Sequence, residues 1–335
     1  MNIYQIAKNA GVSATTVSRV INGSQHVSDE VRERVETVIK ESGYIPNYFA
    51  RGLNRKETKT VGILCPVISD ICHSKQVAFL ERRLRELGFD IILCSMEHNY
   101  ESKDDYLSVL VQKQVEAIFI IGSSVLDTEY QTALIAISNK MPVIVINGFI
   151  DGPKIYNVYC KEKEMCCNLV KMLCLEGYSR VLYIFDSVTF TGQQKKGGYE
   201  IGMQSCDLET SINELRIREE ISMTDVELST KMVLDYVEKM DVKPDSVITA
   251  DDILAVPAQK AFKRLGIEIP IIGWSNTMYA QIASPTISSV DMNMDKMSEI
   301  AVAMLMNVLS GKTAPQKVGV AASLVVRESF VPTME

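Results

Sequence analysis

Thr15, Ser18, Arg19 and Asn22 put two hydroxyls, a guanidinium and an amide into one short stretch. Projected at 100° per residue they gather on one side of a helix, while Val17, Val20 and Ile21 gather on the other. Such groups can address base edges in a DNA major groove, where Arg bonds guanine bidentately, Asn bonds adenine and a threonine methyl meets a thymine methyl. Ala14 and Thr15, at the helix start, would lie nearest the bases. Taken alone, a face of this kind is more often plain solvated surface.

The elements around it shift that balance. Ile3, Ile6, Ala7 and Ala10 form one helical stripe, and Gly11 follows where a helix would end on a left-handed residue. The chain turns at Gly11 and Val12, and Ser13 fits the N-cap of a second helix that runs to about Asn22 and is closed by Gly23. A third amphipathic segment, Ser28 to Ser42, is capped by Ser28 and supplies Val31, Val35, Val38 and Ile39 to a three-helix mini-core. Two short helices joined by a glycine turn make a helix-turn-helix candidate. Charge agrees with it. The net charge is −7, yet the first sixty residues hold nine bases against six acids, and no acid precedes Asp29. The first twenty-eight residues are thus free to approach a polyanion without repulsion.

The run Ile6-Ala7, Ala10-Gly11-Val12-Ser13, Thr16-Val17-Ser18-Arg19-Val20-Ile21-Asn22, Val27-Ser28, Arg34, Tyr44, Pro46-Asn47 and Ala50-Arg51 resembles the DNA-binding region of the LacI/GalR family of bacterial transcription regulators. The resemblance implies that Ala14, Thr15 and Arg19 read bases with Ser18 beside them. Ser13, Thr16, Asn22, His26 and Tyr44 would orient the domain or contact phosphates. It also implies a hinge at residues 46–59. Pro46 suits the first turn of a helix, and the segment from Asn47 through Ala50 to Leu53 supplies about two turns, too few to persist alone in water. In the family two such segments fold together on the operator, and Leu53 stands where a leucine wedges into the minor groove. The implied partners are a near-palindromic double-stranded operator and a second copy of the chain.

From Thr60 onward short apolar strands alternate with amphipathic helices, the pattern of parallel sheets covered by helices. Two α/β units follow in series, and the last segments, from Thr286 to Arg327, are expected to cross back between them. This arrangement resembles the periplasmic-binding-protein type I fold of the same family's effector domain. The expected organisation is a helix-turn-helix domain at 1–45, the hinge, and an effector and dimerisation domain at 60–335. One subdomain would span about 60–158 and 291–320, the other about 159–290 and 321–335. Ligands of such units lie at the carboxyl ends of strands, which nominates Ser69, His73, Asn147, Lys195, Asp251, Trp274 and Ser275 for a small-molecule effector. The chain departs from the family here. Lys195 replaces an arginine that contacts ligand in sugar and purine binders, Ser275 replaces an acid, and Asp70-Ile71-Cys72-His73 replaces an Asn-Pro-Phe run. Lys195 and Lys196 read either as an anion site for a phosphosugar or as a solvated Gly-rich turn. His73 reads equally as a ligand contact or a satisfied interior histidine, and Trp274 as a sugar platform or as packing. Asp252 reads as a helix N-cap.

Other classes find less support. The start of the chain lacks the apolar core of a secretion signal, and no stretch nears the roughly 18 apolar residues of a membrane helix, so a cytoplasmic protein without membrane contact is expected. Eight cysteines without Cys-x-x-Cys spacing read as reduced thiols, and three scattered histidines as no metal cluster. Gly311-Lys312-Thr313 mimics the end of a phosphate loop, but Met306 stands where that loop needs glycine. No catalytic set and no cofactor are expected. The reading is a DNA-binding regulator, acting as a repressor; the alternative is a cytoplasmic small-molecule binding protein or hydrolase that uses the α/β domain alone, for which the first sixty residues have no purpose.

Overall fold

The computed structural model describes residues 2–21, 24, 26–44, 58–96, 103–122, 128–208, 214–217, 221 and 224–333. The chain divides into two compact units, Met1–Thr58 and Lys59–Glu335.

The first unit is three helices, α1 (Ile3–Ala10), α2 (Ala14–Ile21) and α3 (Asp29–Ser42). Ile6, Ala7, Ala10, Val17, Val20 and Val35 close one small core, and Val31, Val38, Ile39 and Tyr44 pack against it. Asn2 caps α1 in a reciprocal box: its Oδ1 accepts from Gln5 N at 3.0 Å, and the Gln5 Oε1 accepts from Asn2 N at 2.8 Å. Gly11 ends α1 at φ 66, a conformation that costs a residue with a Cβ roughly 1–2 kcal/mol. Ser13 does cap α2, accepting from Thr16 N at 3.1 Å. Ser28 occupies the N-cap position of α3 but its side chain makes no capping bond, a correction to the expectation.

The second unit holds two six-stranded sheets. In chain order its elements are β1 (Thr60–Cys65), α4 (Ile71–Glu86), β2 (Asp90–Ser95), α5 (Lys103–Gln112), β3 (Ala117–Ile121), α6 (Thr128–Ser138), β4 (Val143–Ile146), β5 (Ile155–Cys160), α7 (Glu162–Leu175), β6 (Val181–Phe185), α8 (Phe190–Ser205) and β7 (Glu214–Arg216). There follow α9 (Val226–Glu238), β8 (Ser246–Thr249), α10 (Asp252–Arg264), β9 (Ile271–Trp274), α11 (Met278–Ile282), β10 (Ser288–Asp291), α12 (Met294–Leu309), β11 (Lys317–Val320) and β12 (Ser323–Val325). The first sheet runs β11-β5-β4-β3-β1-β2 and is parallel throughout; the second runs β12-β10-β9-β8-β6-β7, with β12 antiparallel to β10.

Both faces of the first sheet are covered, which is why β3 and β4 read as unbroken apolar runs. Within them the period is still two. Phe119, Ile121, Ile144 and Ile146 enter the core shared with the second sheet's helices, and Ile118, Ile120, Val143 and Val145 enter a second core on the opposite face. The chain passes between the sheets three times, after β5, after β10 and between β11 and β12. The second passage delivers α12 onto α4, β4 and β5.

The apolar alternation of the sequence marks no strand at β5 or β11, and it starts the helices at Lys75 and Gln193 where the structure starts α4 at Ile71 and α8 at Phe190. Lys195 and Lys196, expected in a Gly-rich loop, stand inside α8. Gly198 and Gly202 let α8 lie against α7: a Cβ at Gly198 would stand 2.3 Å from the Lys163 carbonyl oxygen, and one at Gly202 2.6 Å from the Val170 Cβ. Gly311, at φ 73 just after α12, is a helix stop, as its mismatch to a phosphate loop suggested.

Candidate functional site

The exposed face of α2 follows from its core. With Val17 and Val20 buried, Thr15 and Arg19 are exposed and Ala14, Thr16 and Ser18 half-buried beside them. The Ser13 and Thr16 hydroxyls bond each other at 2.9 Å, which fixes the first turn of the helix. His26 is exposed, its N–H donating to the Ser24 Oγ at 3.3 Å, and the Arg32 Nη2 holds the Ser24 carbonyl oxygen at 2.7 Å, so the loop between α2 and α3 is tied back to α3. Tyr44 is half-buried against the mini-core. Asn22, Asn47, Ala50 and Leu53, and with them residues 46–57 of the hinge, lie outside the described residues.

In the larger unit the strand ends of the two sheets face one another. After β1, Asp70 caps α4, its Oδ1 accepting from Cys72 N at 2.9 Å and His73 N at 2.8 Å. Cys72 then reaches the neighbourhood of Asp251 and Ser275, which belong to the second sheet. Burial, with the Asp251 and Asp70 carboxylates behind it, pushes the Cys72 thiol far up. His73 is half-buried, with Nδ1 3.1 Å from the Val67 carbonyl oxygen; Ser69 is exposed in the same loop.

After β8, Asp251 rather than Asp252 caps α10: the Asp251 Oδ1 accepts from Ile253 N at 3.2 Å and its Oδ2 from the Ser275 Oγ at 2.9 Å. Asp252 is fully buried, accepting from the Thr277 N–H and hydroxyl at 2.6 and 2.9 Å and from the Ser289 hydroxyl at 2.6 Å. It clamps β9 and β10 together at their ends. After β9, Ser275 and Asn276 are consecutive residues at φ 89 and 46, strained conformations of the kind held where a site must be pre-shaped. Asn276 is fixed by the Asp291 carboxylate and by the Arg327 guanidinium.

Lys195 joins these groups. It is buried, donating from Nζ to the Ala250 carbonyl oxygen at 2.7 Å, and its ammonium lies 5.3 Å from the centre of the Trp274 ring. Trp274 is fully buried, so the packing reading holds and the ring's contact is with the lysine. Lys196 points elsewhere, to Glu214 at 2.6 Å. The structure therefore brings Lys195, Asp251 and Ser275 together and adds Cys72. Asn147, at φ 55 after β4, connects the sheets more loosely, its Nδ2 3.9 Å from the Met292 sulfur and its Oδ1 3.4 Å from Cys160 N.

One group escaped sequence reasoning entirely. Glu162, at the start of α7, is buried with neither carboxylate oxygen hydrogen-bonded, and Lys195 and Asn147 are its polar neighbours. Burial raises the pKa of Glu162 and Asp251 alike, against the pull of Lys195; for Asp251 the Asp252 carboxylate adds to the rise. Glu162 lies two residues past the end of β5, a strand the apolar pattern does not mark, so nothing in the sequence placed it at a strand end.

Residues 2–47 match the family model for bacterial regulatory proteins of the lacI family, and residues 170–330 match that for a periplasmic binding protein-like domain. An HTH-type transcriptional regulator of Lachnoclostridium phytofermentans is 34% identical, covering 98% of this chain and 99% of its own length. The HTH-type transcriptional regulator DegA of Bacillus subtilis is 30% identical, covering 98% of each chain. Among solved structures, the lac repressor dimer bound to operator and the anti-inducer ONPF superposes with a TM-score of 0.88 over 98% of each chain at 21% identity.

Proposed function

The chain belongs to the lacI family of bacterial regulatory proteins, and from that premise we propose that it is a transcriptional repressor whose grip on a near-palindromic operator is set by a small molecule held between the two sheets. The observation that carries the reading is the acid-free α2 face, with Thr15 and Arg19 exposed over a closed mini-core, in the same chain as a converging set of polar strand ends. In this reading two copies of the chain place their α2 helices on half-sites in successive major grooves. Arg19, Thr15 and Ala14 read bases, and Ser13, Thr16, Ser18, His26 and Tyr44 orient the domain on phosphates. Asn22, Asn47, Ala50 and Leu53 keep the roles that the family resemblance implies. The repressor acts in the cytoplasm, and its α/β unit binds its ligand without turning it over.

For the effector, Asp251, Ser275 and Asn147 offer hydroxyl-binding groups while Lys195 is held by the Ala250 carbonyl and the Trp274 ring. That balance favours a neutral sugar over a phosphosugar. Bound ligand would rotate one subdomain on the other and so change the separation of the hinge segments. The test is a mobility-shift titration of the full-length protein on the region upstream of its own gene at several salt concentrations, followed by a thermal-shift screen of sugars and phosphosugars. A salt-sensitive preference for a two-fold-symmetric site, altered by a ligand that raises Tm, is the expected result. Equal affinity for all DNA would overturn it.

A further inference from the structure

α7 and α8 lie side by side and run the same way, at a distance set by glycine. Gly198 sits on Lys163 and Cys166, and one turn further on Gly202 sits on Cys167 and Val170. The next step of the same ladder meets Cys174, in the last turn of α7, and Cys206, the C-cap residue of α8, which are neighbours there. Both are half-buried and free, whereas Cys166 and Cys167 are buried. A disulfide needs its two Cα atoms within roughly 4.4–6.8 Å, and a crossing that leaves no room for a Cβ provides that kind of approach. Among the described residues no group of three or more His, Cys, Asp or Glu side chains could hold a metal ion, so the chemistry open to this pair is that of two thiols alone.

We infer that Cys174 and Cys206 are a modification site that closes to a reversible disulfide on exposure to a hydroperoxide. Lys171, one turn before Cys174, is the cation beside Cys206; it offsets only part of the burial that holds this thiol up, and it stands where a thiolate formed on Cys206 would meet a positive charge. The Cys206 thiol loses its proton to solvent and the thiolate attacks one peroxide oxygen; the O–O bond breaks, and the departing hydroxide is protonated to water. The resulting sulfenic acid is attacked by the Cys174 thiolate. The S–S bond forms as the S–O bond breaks, and the departing hydroxide takes up the proton given up by the Cys174 thiol and leaves as the second water. The first leaving group is also water when the oxidant is hydrogen peroxide, and an alcohol when it is an alkyl hydroperoxide. Two thiols are oxidised and one hydroperoxide is reduced.

Burial and the adjacent Cys174 thiol hold the Cys206 thiol up, at about 11. Thiolate is therefore scarce at neutral pH, and the rate of closure climbs about tenfold per pH unit below that value. At their other ends the same two helices carry Glu162 and Lys195, so the bridge fastens together two walls of the candidate ligand site. The inference stands whether or not the protein is ligand-gated.

The experiment treats the full-length protein with hydrogen peroxide, alkylates the remaining thiols and maps the peptides by mass spectrometry. The expected product joins Cys174 to Cys206, is reversed by dithiothreitol, forms about ten times faster one pH unit above neutral and is absent from both Cys174→Ser and Cys206→Ser. Over-oxidation of Cys206 with Cys174 still alkylated, a bridge to Cys167 or between chains, or a rate indifferent to pH would each overturn it. The wild-type peptide map decides the matter even if a serine variant folds poorly.

Discussion

Arg19 and Lys195 show how one charge type serves opposite ends. Arg19 lies exposed on α2, free of acids nearby in sequence, and its exposure follows from its spacing to the buried Val17 and Val20. Arg19→Ala should weaken operator binding by about 1–3 kcal/mol and erase discrimination at one base position, measured by competition among single-base operator variants. Lys195 is buried, and its partners became visible only in three dimensions. Beside it, Asp251 and Glu162 carry raised pKa values because burial disfavours their charged forms. A carboxyl whose folded pKa is raised favours folding while the unfolded carboxyl is also protonated. That contribution is lost progressively as pH rises from the unfolded value to the folded one. Glu162→Gln, which removes the acid whose oxygens have no hydrogen bond, should therefore raise Tm more at neutral pH than in acid. A Tm gain that is the same at both would remove the burial argument. The sequence nominated Lys195, Asp251 and Ser275 through family resemblance, but it hid Glu162 and Cys72, whose significance depends on which strand end faces which.

At the scale of elements, glycine and polar side chains decide what was legible. α1, α2 and α3 could be read directly, since their apolar stripes, the Gly11 turn and the Ser13 cap all agree. β5 could not. Its central residue, Asn157, interrupts the apolar pattern, and the structure shows why a buried amide belongs there: it accepts from Ile150 N at 2.9 Å and donates to the Ile150 carbonyl at 3.0 Å, pinning the loop after β4. A polar residue that satisfies a neighbouring loop carries no periodic signal. β11, with Lys317 and Gly319 in four residues, fails for the same reason. The α7–α8 contact is the element-scale feature most open to test. Gly198→Ala would force its new methyl onto the Lys163 carbonyl, a backbone group unable to step aside, and should lower stability by about 1–3 kcal/mol, seen as a lower denaturation midpoint. Asn2→Ala removes half of the capping box and should destabilise the helix-turn-helix unit by about 1 kcal/mol, seen as a lower melting temperature for that unit.

For the whole molecule, charge is partitioned by task. The first sixty residues are net positive within a chain of net charge −7, so operator affinity should fall linearly in log–log terms with added salt, while affinity for an uncharged effector should hardly change. If the two sites are coupled, the factor by which a ligand alters operator affinity must equal the factor by which operator alters ligand affinity. Calorimetry of the ligand with and without operator fragment, set against binding curves on DNA, checks that equality. The overall plan was readable from alternation of strands and helices along the chain, because parallel sheets impose it. Which sheet receives each late strand came from the family resemblance, which placed 291–320 with the first subdomain and 321–335 with the second, where β11 and β12 lie; the local pattern carries no mark of the three passages. Those passages have a consequence for synthesis. β5 gains its neighbour β11 only once Val320 has been made, so the first sheet leaves the ribosome early with a bare edge that stays open for some 160 residues between Cys160 and Val320. A nascent molecule held in this state exposes a strand ready to pair with another of its kind, and dependence on chaperones should therefore be greatest in the interval between the emergence of β5 and that of β11.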